Sequence, residues 1–421
     1  MLDDIAPPSR PNKNPSRRHP QRSLRLRGHS LDGARSRLVG GDTVSKDNEK
    51  TLQEAFVGDT EKPLKPKRQR FGWWKKLSKN KRFAIVSFLL LIFSAGAIGY
   101  FYFIQPTSAP AIEITRSAKP PPPKTVASPL TGVDVEPALA SRPVTGIMIE
   151  NSKDARPQSG VEQAGVIFEA IAEGGITRFL TLYQEAQPQY VGPVRSLRPY
   201  YLDFLVPFDA SIAHAGGSPE ALAQVRAGMK DLDQFFNAGS YWRVSSRVAP
   251  HNLFTSFEKL DALNKSKGYT SSNVASWPRK TEKKLEVPTA KTIDLAISSA
   301  NYNVHYDYDA ATNTYPRSIS GAPHNATASE GDKTGVQLRP KVVVVLVTTY
   351  SISGNHSVYG TSGSGQVFVF QDGGVTVGLW SKAGRSSQLV FIDSAEAPVK
   401  LNPGQTWVTL LANASKLTYA P

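Results

Sequence analysis

Apolar positions divide this 421-residue chain into three regimes. Residues 1–82 hold few of them, with neither helical nor strand periodicity, so they cannot bury enough surface to offset the entropy of ordering and are expected to be disordered. From Phe83 to Ile104 the run FAIVSFLLLIFSAGAIGYFYFI carries no charge. At about 1.5 Å per residue, a helix of this length spans roughly 33 Å, enough to cross a bilayer. Residues 105–137 then hold eight prolines, Pro120–Pro123 consecutively, which predicts an extended spacer.

Short periodic segments return after residue 138. Val144–Ile149 and Ile176–Tyr183 read as strands, Val161–Ala172 as a helix or a buried strand, Leu197–Leu205 as a short helix and Asp209–His214 as a buried strand. Thr255-x-x-Glu258 predicts a capping box opening a helix over Phe257–Lys267. Past a polar break near Trp277–Pro288, strands are predicted at Asn303–Tyr308, Lys341–Tyr350, Gly365–Gln371, Val375–Trp380, Gln388–Ile392 and Thr406–Leu411, with a hairpin turn at Asp372-Gly373-Gly374. The pattern predicts an α+β fold. A mixed α/β-type domain spans 138–285 and a β-rich domain 286–421, both anchored by one transmembrane helix over 83–104.

Composition changes this picture in three ways. The chain has no Cys, which excludes a disulfide scaffold, a thiolate metal site, a Cys nucleophile and a lipid-modified Cys anchor. Its net charge of +15 is concentrated at one end, because residues 1–82 hold 21 Lys+Arg against 9 Asp+Glu, whereas residues 83–421 hold 29 against 26. A nearly neutral body argues against a specific nucleic-acid partner. Residues 62–82 contain ten basic residues and no acid, whereas 105–137 balance three with three. This asymmetry predicts a single-pass protein of the cell membrane, with a cytoplasmic N-terminus and extracellular C-terminal domains.

Three constellations carry candidate chemistry. In His214-Ala-Gly216-Gly217-Ser218-Pro219-Glu220 a strand feeds a glycine turn and a helix start, with Ser218 as N-cap and Pro219 at N1. Backbone N–H groups of Gly216 and Gly217 would face an anion there, beside His214 at the strand's carboxyl end. In Gly192-Pro193-Val194-Arg195-Ser196-Leu197-Arg198, a helical turn would project Arg195 and Arg198 from one face to clamp a carboxylate or phosphate, joined by Arg156, Arg178 or Arg247 if these converge. In Arg247-Val-Ala-Pro250-His251-Asn252, His251 and Asn252 stand in a loop before a helix, placed for proton transfer or ligand orientation. Each also has a plain structural reading. No close-spaced His/carboxylate set of the H-E-x-x-H kind occurs, so no metal or cofactor is expected.

Asn151…Ala155-Arg-Pro-Gln-Ser-Gly160, Glu173-Gly-Gly-Ile-Thr-Arg178, Gly192-Pro-Val-Arg-Ser196, His214-Ala-Gly-Gly-Ser218 and Pro250-His-Asn252 occur in one order. Together they resemble the DUF3048 family. Phe370-Gln-Asp-Gly373, Leu379-Trp-Ser-Lys382 and Leu401-Asn-Pro-Gly-Gln-Thr-Trp407 resemble that family's second domain, so the likeness covers roughly residues 140–412. The resemblance implies a two-domain extracytoplasmic protein of the bacterial envelope with no assigned activity. The chain departs from many relatives in lacking a lipoprotein Cys, and from the usual acid after the second Pro-His in reading Pro323-His324-Asn-Ala326.

Two functional classes fit. One is a binding module whose Arg/His-lined cleft holds an anionic cell-wall fragment or polymer, or a peptide of an envelope protein. The other is a cell-wall hydrolase or transferase with His214 or His251 as acid/base, Glu169 or Glu173 as carboxylate partner and Ser196 or Ser218 as nucleophile. Trp380, Lys382 and Trp407 are a candidate carbohydrate- or peptide-binding surface, against the plain reading of core tryptophans.

Overall fold

The computed structural model describes residues 74–103 and 124–421, position 333 excepted. The expected disordered tail up to residue 73 and the spacer over 104–123 lie outside the described residues. The apolar run forms helix α1, Lys79–Phe103, with no buried side chain. It is long and apolar enough to cross a membrane. The helix starts four residues before the apolar run, on Lys79 and Lys81, because nothing in Lys79–Arg82 breaks it.

In the compact unit that holds residues 124–421, ten strands build one mixed sheet. The first half contributes β1 (Thr145–Glu150), β2 (Val166–Glu173), β3 (Ile176–Tyr183), β4 (Ser211–His214) and β5 (Asp231–Asp233). The second half contributes β6 (Val342–Val347), β7 (Gly363–Gln371), β8 (Gly374–Lys382), β9 (Val390–Asp393) and β10 (Thr406–Leu411). Their spatial order is β9-β8-β7-β6-β10-β2-β3-β1-β4-β5. The central members, β6 and β10 with β2, read as nearly unbroken apolar runs because both sheet faces are covered.

The two expected domains are therefore joined. The polar stretch before Pro288 has little regular structure, but β10 pairs in parallel with β2, Trp407 opposite Ile167, and with β6 on its other side. One hydrophobic core draws on both halves, from Phe168 and Leu202 to Val344 and Val408. A five-stranded antiparallel sheet from 292–323 and Leu417–Ala420 packs its alternate residues into the same core.

Other boundaries moved for local reasons. Val161–Ala172 resolves as β2 preceded by a 3-10 turn. The spacer ends well before residue 137, since Leu130 is buried and its N–H donates to Gln184. Helices α2 (Pro199–Leu205), α3 (Pro219–Arg226) and α4 (Phe257–Ser266) stand where expected. The cap of α4 is displaced by one residue: the Ser256 hydroxyl accepts the Lys259 N–H, while the Thr255 hydroxyl donates to the Ser240 carbonyl. The hairpin at Asp372-Gly373 forms with φ of +60° and +78°, the conformation that a two-residue turn between twisted strands requires.

Candidate functional site

Strands β1, β4 and β5 run parallel, and their carboxyl ends open on one edge of the sheet, the usual place for ligands in α/β sheets. Four of the five recognised motifs meet here. Glu150 ends β1 and pairs in register with Arg178 of β3. Glu173 ends β2, where a bulge after Ile171 and the tight Gly174-Gly175 turn bring it beside Arg178. The segment Val194–Leu197 is bridged to β1 and to Gly217 as extended chain.

That extended backbone corrects the expected helical turn. α2 begins only at Pro199, so Arg195 and Arg198 do not project as an i,i+3 pair and take different partners. Arg198, 1% exposed, donates to Glu173 Oε2 at 2.8 and 3.1 Å. Arg178, 2% exposed, donates to Glu173 Oε1 at 2.5 Å and to Ser196 O and Oγ. Burial pushes the Glu173 carboxyl up, but the charges of Arg178 and Arg198 outweigh it and hold the group below the usual carboxylate range. Glu173 therefore stays ionised as a structural counterion and is not a general acid.

Arg195 differs. Its Nε is buried without a hydrogen-bond partner among the described residues, and Glu150 Oε1 lies 3.5 Å away. Burial lowers its guanidinium's pKa, opposed by Glu150. The side chain lines a cleft of about 40 Å³ with Glu173, Ser196, Gln234, Phe235, Arg243 and Pro250. Gln234 Oε1 is also buried and unpartnered there. Asn252 serves this cleft indirectly, accepting from Arg243 at 2.7 Å and donating to the Val244 carbonyl.

His251 is partly exposed and packs on the same edge. Its Nδ1 lies 3.0 Å from Glu150 Oε2 and 3.3 Å from Ser152 Oγ, which donates to Glu150 Oε1. Its Nε2 makes no hydrogen bond to any described residue. The carboxylate beside the histidine is thus Glu150, not the expected Glu169 or Glu173. Glu150, Ser152, Gln234 and Arg243 were missed by motif reading, and only Glu150, an acid at the end of an apolar strand, carried a usable signal.

The remaining candidates are structural. His214 is fully buried, with Nδ1 2.8 Å from the Gly216 carbonyl and Nε2 3.0 Å from Asp231, so neither nitrogen is left for proton exchange. The Gly216 N–H donates to Asp233 and is not open to an anion. A Cβ on Gly217 would come within 2.9 Å of the Leu197 carbonyl oxygen, so the glycine allows close chain packing. Ser218 caps α3 by accepting the Ala221 N–H and is not placed as a nucleophile. Ser196 Oγ meets only Arg178 among the described residues, with no base beside it. Arg156 and Arg247 do not line the Arg195 cleft.

Glu169 lies in a sealed network. Both its oxygens accept from Arg317 at 2.9–3.0 Å, and Trp407 and Thr177 donate as well. Arg317 also donates to His324 Nδ1, whose Nε2 reaches Gln158 Oε1 at 3.0 Å. Burial first, and then the Arg317 and Arg156 charges, push the His324 pKa well below its usual value. Trp380, Lys382 and Trp407 are buried, which removes the expected binding surface. Among the described residues no cluster of three or more His, Asp or Glu side chains fits a metal ion.

The family model "Protein of unknown function (DUF3048) N-terminal domain" matches residues 130–270, and its C-terminal counterpart matches residues 293–408. The chain belongs to the DUF3048 family. Among its relatives is "Putative lipoprotein YerB" of Bacillus subtilis (strain 168), 29% identical over 306 residues, covering 70% of this chain and 89% of that one. The crystal structure of YerB from Bacillus subtilis superposes with a TM-score of 0.63 at 26% identity, covering 70% of this chain and all of that one. The two family segments are the two halves that share the ten-stranded sheet.

Proposed function

We propose that this DUF3048 protein is a single-pass, membrane-anchored binding protein of the bacterial envelope, which holds an anionic group in the Arg195 cleft. The carrying observation is Arg195, whose side chain lines a small cavity and whose buried Nε makes no hydrogen bond among the described residues, only a 3.5 Å ion contact with Glu150. A guanidinium with one long ion contact and no hydrogen bond keeps capacity for a second carboxylate or a phosphate. The cleft lining holds Arg195 and Arg243 against Glu173, one positive charge in excess. The cavity admits a terminal anionic group and not a whole sugar, so the body of a wall fragment, polymer or partner peptide would lie outside it. Helix α1 and the basic flank before it support an anchor with an internal N-terminus, in place of the lipid anchor that YerB's name suggests for that relative.

The test is a thermal-shift titration of wild type and Arg195→Ala with peptidoglycan fragments and anionic wall polymers. Stabilisation lost in the variant is the expected result. Equal stabilisation of both proteins removes Arg195 from the site.

One observation favours an enzymatic second reading: Glu150 and Ser152 sit at His251 Nδ1 and leave Nε2 without a partner, the arrangement of an oriented acid/base. Product released from wall fragments by wild type but not by His251→Ala would establish it. Identical product profiles would end it.

A further inference from the structure

A second and larger opening lies between the halves of the folded unit. It has a volume of about 430 Å³ and is walled on one side by Lys153, Arg156 and Pro157, and on the other by Asn301 and the segment from Ile319 to Asn325. No acidic residue lines it. Arg156 is hydrogen-bonded only by neutral groups: Nε donates to Asn151 Oδ1 at 3.0 Å, Nη2 to the carbonyls of Asn151 and Asn301, and its Cζ lies 5.1 Å from the Tyr302 ring centroid. Arg247 likewise donates only to the Ala155 and Pro157 carbonyls and stacks on Phe254. Among the described residues, no carboxylate is within ion-pair distance of Lys153, Arg156 or Arg247. The loop Lys153–Pro157, whose one acid is Asp154, thus carries Lys153 and Arg156 and is held by Arg247 outside the groove; these three cations make no ion pair among the described residues, and the two arginines are half-buried and fixed in place.

A half-buried guanidinium held only by neutral groups keeps capacity for a charged partner, and fixed guanidinium forks match phosphate and carboxylate oxygens. We infer that this groove is a second ligand site, which takes a linear polyanion bearing phosphate or carboxylate groups along its length. The volume is about ten times that of the Arg195 cleft and exceeds what one small anion fills. Asn301, Ser320 and Asn325 supply neutral hydrogen-bonding walls for the uncharged links between charges. The loop that carries Arg156 also carries Ser152, which touches His251 and Glu150, and four residues span at most about 15 Å. A chain seated in the groove therefore passes close to the first cleft; that adjacency, unlike the groove itself, rests on the Arg195 reading.

The test uses the full chain in detergent micelles, titrated calorimetrically with linear polyphosphate and with inorganic phosphate at several salt concentrations. The proteins are wild type, Lys153→Glu, Arg156→Gln and Arg195→Ala. The inference expects polyphosphate to bind more tightly than phosphate. It expects Lys153→Glu and Arg156→Gln each to weaken binding about tenfold and to reduce the salt slope by about one per lost contact. Lys153 is exposed, so its variant keeps the readout valid if Arg156→Gln impairs folding. Unchanged polyphosphate affinity in Lys153→Glu and Arg156→Gln, with loss only in Arg195→Ala, overturns the groove and leaves the first cleft standing. Loss in the loop variants alone supports the groove and counts against the first cleft. Absence of polyphosphate binding to wild type overturns the groove as well.

Discussion

Two clusters in this fold contain the same three residue types, Arg, Glu and His, and differ in how completely these are partnered. In the interior, Arg317, Glu169 and His324 are saturated: the carboxylate accepts from an arginine fork, an indole and a hydroxyl, and both histidine nitrogens are engaged. At the sheet edge, Arg195 Nε and Glu150 Oε2 have only a 3.5 Å contact with Glu150 Oε1 and a 3.0 Å contact with His251 Nδ1 in place of hydrogen bonds, and His251 Nε2 makes none among the described residues. A saturated network has no capacity to bind anything else and gives a defined core. An unsaturated one stores capacity that a ligand takes up. Partner count, more than residue type, separates the structural cluster from the candidate functional one.

Removing one member should hurt the sealed cluster most. Arg317→Met strands the fully buried Glu169 carboxylate and should cost about 3–5 kcal/mol in urea denaturation. A loss below about 1 kcal/mol would mean that the network is not tightly coupled.

The next effect is on pH. His324 is kept neutral, because burial and Arg317 depress its pKa from 6.5. Below about pH 6.5 the unfolded chain takes a proton that the native ring refuses, so this group makes stability fall as pH falls, by at most about 1.4 kcal/mol per unit. Above that pH it contributes no slope. Denaturation of wild type and His324→Gln between pH 7.5 and 5 should therefore show a shallower acid slope in the variant, and parallel curves would refute the neutral ring. Glu173 acts in a lower window: its depressed carboxyl stabilises the fold above about pH 4.5 and loses that contribution as pH falls through its folded value.

A smaller effect separates capping from catalysis at the edge. Ser218→Ala removes the α3 cap and should cost about 1 kcal/mol, with ligand affinity unchanged. A selective loss of binding at unchanged stability would return Ser218 to the site.

Much of this was legible before the fold was known. β3 and β10 stand at the predicted residues, Ser218 caps α3, and Asp372-Gly373 makes the hairpin, because local propensity and tertiary packing agree there. The shared sheet was not legible, since the parallel pairing of β10 with β2 joins residues over two hundred positions apart without a local signal. The site was half legible. Arg195 and His251 were found through motifs, whereas Glu150 lies one residue past the predicted strand Val144–Ile149 and in none of the motifs. The glycines after His214 suggested an anion nest, but Asp233, supplied by a neighbouring strand, takes the Gly216 N–H.

The smallest expected stability change carries the central claim. Arg195→Ala should shift unliganded stability by less than about 1 kcal/mol, because it removes one long ion contact from a partly exposed guanidinium, while Ser152 and His251 still contact Glu150. The decisive measurement is urea denaturation of wild type and Arg195→Ala, each with and without saturating inorganic phosphate. The account predicts near-equal stability without phosphate and phosphate-dependent stabilisation in wild type alone. Equal stabilisation of both proteins, or a cost of several kcal/mol in Arg195→Ala without phosphate, would contradict it and place Arg195 with the structural arginines.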